Sequence, residues 1–352
     1  MPEETGKKVR DLISGIPKVD LHCHLDGSLR VETIRDLALK LNHKLPTYDP
    51  EELSRYVQVC PGCRSLPDFL KTFDFFYPLL KNPDAVERIT YELLEDASRE
   101  NIVYLEMRLA PVLQTSDSFP MEEVIRSVIR GKETAEKSFP VKSGILLCVY
   151  RGTSEDAQTK TVELAEKFRD RGVVGLDLAG DESRYPASLY QAAFRKAREF
   201  RIPVTIHAGE AAGSESISKA MELLEARRIG HGIRLKDDPL LLRRVMDSGI
   251  TLEMCPTSNV QTQVVESYEK HPLPQYYKEG VRVTVNTDDR GVSGIDLSHE
   301  WNIVMEKMKL RLDDLLDMNI NAIEAAFIDS SSRKTIERHI QEKIREIMND
   351  KE

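Results

Sequence analysis

Apolar runs of strand length recur eight times along this 352-residue chain, and longer amphipathic segments separate them. Near-continuous apolar runs are typical of parallel strands that helices cover on both faces. The candidate strands are residues 19–24, 102–110, 144–150, 173–179, 203–208, 228–231, 251–255 and 281–287. Eight strands alternating with helices predict an α/β fold of the (β/α)8 TIM barrel type.

The segments between the strands carry helix signals. Asn82-Pro83 and Asp238-Pro239 each place a capping side chain before a proline suited to a first helical turn, and Gly249 can end the second of these helices. Further helical patterns cover residues 121–138, 155–171, 188–200, 214–226 and 268–279. An open doubly wound sheet is the alternative, but the first strand is followed by no glycine-rich loop of the dinucleotide-binding or P-loop type.

Two regions exceed the barrel pattern. Residues 29–100 form a long segment after the first strand, with an aromatic cluster around Phe73 and Tyr77. We expect a helical insertion there, either a lid or apolar wall over a pocket or extra helices packed on the barrel. After the eighth strand, extra C-terminal helices are predicted at residues 297–317, 321–328 and 333–349. We assign residues 1–352 to a single domain.

Composition excludes several function classes. Hydrophobic residues make up 40% and the formal net charge is −9 without a run of like charges, which argues against a nucleic-acid partner. We find neither a membrane-spanning apolar run nor an export signal, and residues 1–15 suggest a surface helix. Five scattered cysteines do not suggest a disulfide framework, and Cys60-Pro61-Gly62-Cys63 is interpreted as a loop. We therefore expect a cytoplasmic protein.

Histidines concentrate at the predicted strand ends. Four of the eight lie there, whereas the others lie in helices or loops and are expected to be solvated. The strand-end histidines are His22, His24, His207 and His231, and the others are His43, His271, His299 and His339. Since catalytic groups of this fold come from the carboxyl ends of the strands, the four are candidates for one site.

Acidic residues follow the same strand ends and complete a candidate metal site. His22, His24, His207 and Asp288 offer the nitrogen and oxygen donors that suit Zn²⁺, and a water ligand would make such a site catalytic. Glu210, three residues past His207, is a candidate proton donor if a pocket keeps it protonated. His231 could hold or deprotonate the attacking water. Asp288 could bind the metal, and Asp289 could bind the substrate.

Several motifs carry a resemblance to a known family. They are His-X-His-Leu-Asp-Gly-Ser at 22–28, Asp-Leu-Ala-Gly-Asp-Glu at 177–182, His-Ala-Gly-Glu at 207–210, Arg-Ile-Gly-His-Gly at 228–232, Cys-Pro-Thr-Ser-Asn at 255–259 and Asn-Thr-Asp-Asp at 286–289. In this order, from about residue 17 to about 325, the chain resembles the adenosine deaminase family of metal-dependent amidohydrolases. The resemblance implies zinc-dependent hydrolytic deamination of a small-molecule purine nucleoside, adenosine and also 2′-deoxyadenosine, in purine salvage.

The resemblance also implies roles for individual residues. One Zn²⁺ per chain would be held by the four ligands named above. Glu210 would protonate N1 of the purine, while His231 orients the water and accepts charge. Asp289 would bind the N7 edge, the Gly180 backbone would contact N3, and Asp26 would face the ribose hydroxyls. The resemblance implies no oligomeric state.

Two departures from the family pattern keep alternatives open. Arg290 stands where the family usually has proline, so it could alter the loop on the ribose side or supply a cation for a modified substrate. Strand four lacks the bridging lysine of two-metal relatives, which favours one metal and disfavours phosphotriester or amide hydrolysis. The rival substrates are adenine, AMP and aminodeoxyfutalosine. Asp26 and Thr287 favour the nucleoside over adenine, and AMP deaminases carry amino-terminal extensions that this chain lacks. A catalytically dead binding relative would lack Glu210, His231 or a metal ligand.

Overall fold

Parallel strands form the centre of the fold in the computed structural model, which describes residues 12–59 and 63–349. Each of the eight predicted strands is confirmed, with ends shifted by at most a few residues. They are β1 Lys18–His24, β2 Ile102–Leu109, β3 Lys142–Tyr150, β4 Val173–Ala179, β5 Thr205–Ala208, β6 Arg228–His231, β7 Thr251–Met254 and β8 Arg282–Val285. Their side chains are almost all buried, as expected of strands covered on both faces.

The strands pair in sequence order and close into a barrel. β1 to β4 form one four-stranded parallel set and β5 to β8 the other. A parallel bridge between Leu176 and Val204 joins β4 to β5. At the other junction, His24 N–H donates to Asp288 O at 2.7 Å and Asp288 N–H donates to His22 O at 2.8 Å. This second junction places the end of β1 beside the segment after β8, and the predicted TIM barrel is confirmed.

Helices alternate with the strands on the outside of the barrel. Asn82 and Asp238 act as the predicted caps, since their side chains accept backbone N–H groups of Ala85 and of Leu240 and Leu241. The helices are α1 Val31–Lys40, α2 Pro50–Val57, α3 Leu66–Leu70, α4 Pro83–Arg99, α5 Met121–Ser138, α6 Glu155–Lys167, α7 Gln191–Glu199, α8 Ser214–Leu224, α9 Pro239–Ser248, α10 Pro256–Gln261, α11 Leu273–Glu279, α12 Arg290–Ser293, α13 Leu297–Glu306, α14 Leu312–Ala325 and α15 Ser330–Asn349.

Helix boundaries are where the sequence prediction was wrong. The single helix predicted over 297–317 is two, because Lys309 has a positive φ of 60° and Asp314 accepts the Arg311 N–H that starts α14. The helix predicted at 321–328 is the end of α14, and the helix expected from residue 268 begins only at Leu273, after Pro272. Residues 1–11 of the expected surface helix, and Cys60 of the Cys-X-X-Cys segment, lie outside the described residues.

The segment between β1 and β2 packs on the barrel and also covers its carboxyl end. It contains α1 to α4 and buries Leu53, Phe69, Phe73 and Phe76 in the main core. Both interpretations of this insertion therefore describe part of it, whereas its movement as a lid stays a prediction, as does the single-domain organisation. None of the helices within the described ranges is long and apolar enough to cross a bilayer.

Candidate active site

The four predicted metal ligands meet at the carboxyl end of the barrel. Ligand atoms of His22, His24, His207 and Asp288 all lie within 4.8 Å of one another. Asp288 Oδ1 is 3.1 Å from His22 Nε2 and 3.4 Å from His24 Nε2, and the Nε2 atoms of His24 and His207 are 3.3 Å apart. Alternation along β1 puts both of its histidines on one face, as the sequence predicts.

The donor set fits a divalent cation. His22 is fully buried, and its Nε2 has no hydrogen-bond partner of acceptable geometry despite the nearby Asp288 oxygen. Burial lowers the pKa of His24 and of His207, which keeps both rings in the neutral form that ligates metal. A second group, His231, Cys255 and Asp288, is less suited because burial raises the pKa of the Cys255 thiol well above its usual value.

Buried carboxylates behind the site orient two of the histidines. Glu253 Oε2 lies 2.9 Å from His22 Nδ1, and Asp177 Oδ2 lies 2.9 Å from His207 Nδ1. Arg108 joins these acids, with Nη1 2.9 Å from Asp177 and Nη2 2.8 Å from Glu253. Such partners fix the ring that a metal meets and raise its basicity. No role for these acids was predicted from the sequence, although a charged residue within an apolar strand run, such as Glu253 or Arg108, is a signal for one.

Backbone geometry positions three of the polar side chains of the site. His231 and Asp288 adopt positive φ angles of 64° and 63°, values that are uncommon for residues other than glycine and concentrate at functional sites. Gly27 makes room for the neighbouring acid, because a Cβ there would lie 1.7 Å from Asp289 Oδ1. A side chain at position 27 would therefore displace Asp289.

Glu210 is buried beside the ligand cluster. Its Oε2 lies 3.7 Å from His231 Nε2. Burial raises the pKa of Glu210 well above its usual value, and the negative charges of Asp288 and Glu182 act in the same direction. These influences favour the protonated carboxyl, which is the form that can donate a proton.

The other two acids also have altered proton affinity. Burial, aided by Asp288 and Asp26, raises the pKa of Asp289 well above its usual value, and Asp289 Oδ1 is buried without a hydrogen-bond partner. Burial raises the pKa of Asp26 to about 6. The Tyr77 hydroxyl donates to Asp26 Oδ2 at 3.1 Å, so the insertion contributes a polar group that the sequence analysis did not assign.

A cavity joins these groups, with about 590 Å³ of empty space that includes open solvent at its mouth. Its lining combines apolar side chains with a few convergent polar groups, as is typical of small-molecule sites. Gly180, at the end of β4 with a φ of 104°, lines it together with Asp26, Glu210 and Asp289. The insertion contributes an apolar wall of Leu66, Phe69, Leu70, Phe73 and Tyr77.

One expectation about a single residue is wrong, and the structure bears on the alternatives for another. His271 is not solvated: it is 4% exposed and its Nε2 lies 3.2 Å from Asn259 Oδ1. Arg290 does not line the cavity, since its guanidinium is buried in an ion pair with Glu100, which also accepts the Ser298 N–H. This pairing favours the first of the two interpretations, a change in the loop, over a cation offered to substrate.

Comparison with known proteins decides the family. The sequence profile described as adenosine deaminase matches residues 17–343. The chain is 39% identical over 328 residues to the adenosine deaminase of Clostridium botulinum (strain Okra), covering 93% of this chain and 98% of that protein. The chain belongs to the adenosine deaminase family. It is therefore a hydrolytic deaminase of adenosine-like purines, and its membership implies a divalent metal.

Solved structures agree with this assignment. The adenine deaminase of Arthrobacter aurescens superposes with a TM-score of 0.86 at 25% identity, covering 94% of this chain and 99% of that one. The Arabidopsis N6-mAMP deaminase gives a TM-score of 0.85 at 28% identity, with 94% and 99% coverage. Members of the adenosine deaminase fold thus share this barrel while their names record different 6-aminopurine substrates.

Proposed function

We propose that this adenosine deaminase family member converts adenosine and 2′-deoxyadenosine to inosine and deoxyinosine with release of ammonia, in cytoplasmic purine salvage. The observation that carries the proposal is the placement of Glu210, a buried carboxyl with a raised pKa, beside the cluster of three histidines and an aspartate at one end of the cavity. Hydrolytic deamination needs both a water nucleophile and a proton donor to the ring, and this cavity offers groups for each.

His22, His24, His207 and Asp288 would hold one Zn²⁺ per chain. Three imidazoles and a carboxylate suit zinc among common divalent ions, and the unpartnered Nε2 of buried His22 needs a cation or donor. A zinc ion held by these residues would supply the Lewis acidity that activates a water molecule at neutral pH. A single ion is favoured because β4 ends without a bridging lysine and its Asp177 is already engaged by Arg108 and His207.

The proton donor acts on the purine ring. Glu210 would donate its proton to N1, which withdraws electrons from the ring and makes C6 electrophilic. His231, with Nε2 4.0 Å from Asp288 Oδ2 and 3.7 Å from Glu210 Oε2, would hold the attacking water against C6. The apolar wall of the insertion would limit the access of bulk water, which would strengthen these electrostatic contacts.

Three further groups would orient the substrate. Asp289, whose pKa is raised by burial, would donate to the N7 lone pair in its protonated form. The backbone of Gly180, whose conformation favours glycine, would contact N3. Asp26, held by the Tyr77 hydroxyl, can accept from a ribose hydroxyl. Each pairing joins a donor to an acceptor, as a buried site requires.

A parallel assay tests the substrate. Ammonia release would be measured with the zinc-loaded protein on adenosine, 2′-deoxyadenosine, adenine, AMP and aminodeoxyfutalosine. We expect the highest kcat/KM for the two nucleosides. Preference for adenine or for aminodeoxyfutalosine would overturn the substrate assignment while leaving the reaction class intact. The ion pair of Arg290 with Glu100 supports the nucleosides over aminodeoxyfutalosine, because Arg290 is a cation that could otherwise meet an acidic 5′ substituent.

A further inference from the structure

A chain of buried hydrogen bonds leads from the backbone to His231. The Leu273 N–H, at the start of α11, donates to His271 Nδ1 at 3.2 Å. His271 Nε2 lies 3.2 Å from Asn259 Oδ1, and Asn259 Nδ2 lies 3.0 Å from His231 Nδ1. All four residues are at most 4% exposed, so solvent does not compete for these contacts.

The first bond fixes the proton on His271. A backbone N–H can only donate, so His271 Nδ1 must carry a lone pair. Burial and the nearby charge of Lys236 lower the pKa of His271 to about 3, which leaves the ring neutral with one proton. That proton is therefore on Nε2 and is donated to Asn259 Oδ1. Flipping the ring would place carbon atoms against both partners and lose both bonds.

The direction of the chain then passes to His231. Because His271 Nε2 donates, the amide of Asn259 must present its oxygen to His271 and its nitrogen to His231. The opposite amide orientation would face N–H against N–H at a buried position. His231 Nδ1 is consequently an acceptor, and in the neutral ring the single proton is on Nε2, the atom that faces Glu210 Oε2 and Asp288 Oδ2.

We propose that His271 and Asn259 are positioning residues that hold neutral His231 as its Nε2–H tautomer, so that His231 offers the active site a hydrogen-bond donor. The sequence left two roles open for His231, holding the attacking water or removing its proton. A ring whose Nε2 carries a proton favours the first role. The kinetic consequence rests on the proposed function, whereas the tautomer is a property of the resting enzyme. Neither His271 nor Asn259 lines the cavity.

The tautomer is measurable without any substrate. In the metal-loaded enzyme labelled with ¹⁵N-histidine, the His231 signals would be assigned by their loss in His231→Gln. We expect Nε2 to show the shift of a protonated ring nitrogen and Nδ1 that of an unprotonated one. A protonated Nδ1 with a bare Nε2 would overturn the inference, and it would do so even in an enzyme that deaminates adenosine as proposed.

Matched variants test this chain of hydrogen bonds. Asn259→Asp is nearly isosteric but accepts from both neighbours, so it should move a proton to His231 Nδ1 and lower kcat by roughly 10- to 100-fold. His271→Leu removes the donor, whereas His271→Gln retains an N–H near the Nε2 position and should restore the Nε2–H signature and most of kcat. Exposed His299→Gln is the control. An unaltered His231 spectrum in folded, zinc-loaded Asn259→Asp would refute the role of this chain of hydrogen bonds.

Discussion

Glu182 Oε2 accepts the backbone N–H of Glu210 at 3.0 Å. The same carboxylate also receives the N–H groups of Gly209, Ala211 and Ala212 at 2.6 to 2.9 Å and the Ser216 hydroxyl. One buried anion thus shapes the whole turn between β5 and α8. That turn carries the proton donor, so its shape sets where the Glu210 carboxyl points.

Replacing Glu182 with glutamine should disturb this turn. An amide NH2 would face backbone N–H groups that now meet an anion, and each charged hydrogen bond lost costs about 1.5–3 kcal/mol. We expect kcat to fall at least roughly 10-fold and the free energy of unfolding to fall by about 1.5–3 kcal/mol. Zinc should be retained, since Glu182 is not among the ligands. Glu215→Gln, at an exposed position on α8, is the control. Wild-type kcat in Glu182→Gln would contradict the role of this anion.

Glu210→Gln tests the proton donor directly. The amide preserves shape but cannot supply a proton to N1, and general acid catalysis contributes about 10²–10⁴-fold to rate. We expect zinc content measured by elemental analysis to be unchanged and kcat to fall by that factor. In the wild type, activity should also fall as alkaline pH ionises Glu210, because the raised pKa keeps the active form protonated below that point. Near-normal turnover of the zinc-loaded glutamine variant would refute the role.

The sequence predicted the barrel and the ligand cluster for one physical reason. Parallel strands put their carboxyl ends at one edge, so His22, His207 and Asp288 meet although they are far apart along the chain. The apolar pattern locates each strand, and the residues at its carboxyl end then become candidates for one site. No contact between strands needs to be known for this prediction. What the pattern does not carry is which groups lie behind the site. Glu253 was not singled out, and Asp177 stands in the 177–182 motif without a predicted role, because the partners of both acids come from other strands.

His271 and Tyr77 show the same limit from two sides. His271 follows a turn and precedes a proline, a pattern typical of exposed loops. In the structure it is nevertheless buried, and its Nε2 lies within hydrogen-bond distance of Asn259 Oδ1. Tyr77 belongs to an aromatic cluster that predicts core packing, and its hydroxyl nevertheless reaches Asp26. Burial and polar contacts of loop residues depend on the tertiary arrangement of the insertion and of the β7–α11 region. Local sequence patterns do not encode that arrangement.

Glu253, the partner of His22, allows metal affinity to be tested without changing any of the four ligands. Removing its charge would weaken the orientation of His22 and reduce the basicity of that ring, an effect worth about 10- to 100-fold in metal affinity. We expect Glu253→Gln to bind zinc that much more weakly in a chelator competition. Asp288→Ala, which removes a ligand, should lower zinc occupancy further, and unchanged occupancy there would count against Asp288 as a ligand.

Glu300, on α13, gives a prediction for stability against pH. It is fully buried, and burial raises its pKa from 4.5 to about 8. Between these values the native state keeps a proton on Glu300 that the unfolded chain has released, so the contribution of Glu300 to stability should fall with rising pH by about 1.4 kcal/mol per unit. In urea unfolding at fixed saturating zinc, the difference in unfolding free energy between the wild type and Glu300→Gln should therefore change with this slope. Exposed Glu306→Gln, on the same helix, should keep the wild-type slope.

Tyr77→Phe separates the polar role of the insertion from its apolar one. The phenylalanine preserves the wall of the cavity but removes the donor to Asp26 Oδ2, leaving a buried carboxyl with one partner fewer. If Asp26 accepts from a ribose hydroxyl, its orientation should loosen and KM for adenosine should rise about 10-fold, equivalent to about 1.4 kcal/mol, while kcat changes little. The inhibition constant of a free purine base, which has no ribose, should stay constant, and Tyr56→Phe on α2 serves as the control. An equal loss for base and nucleoside would show that Tyr77 acts on the whole pocket and not through Asp26.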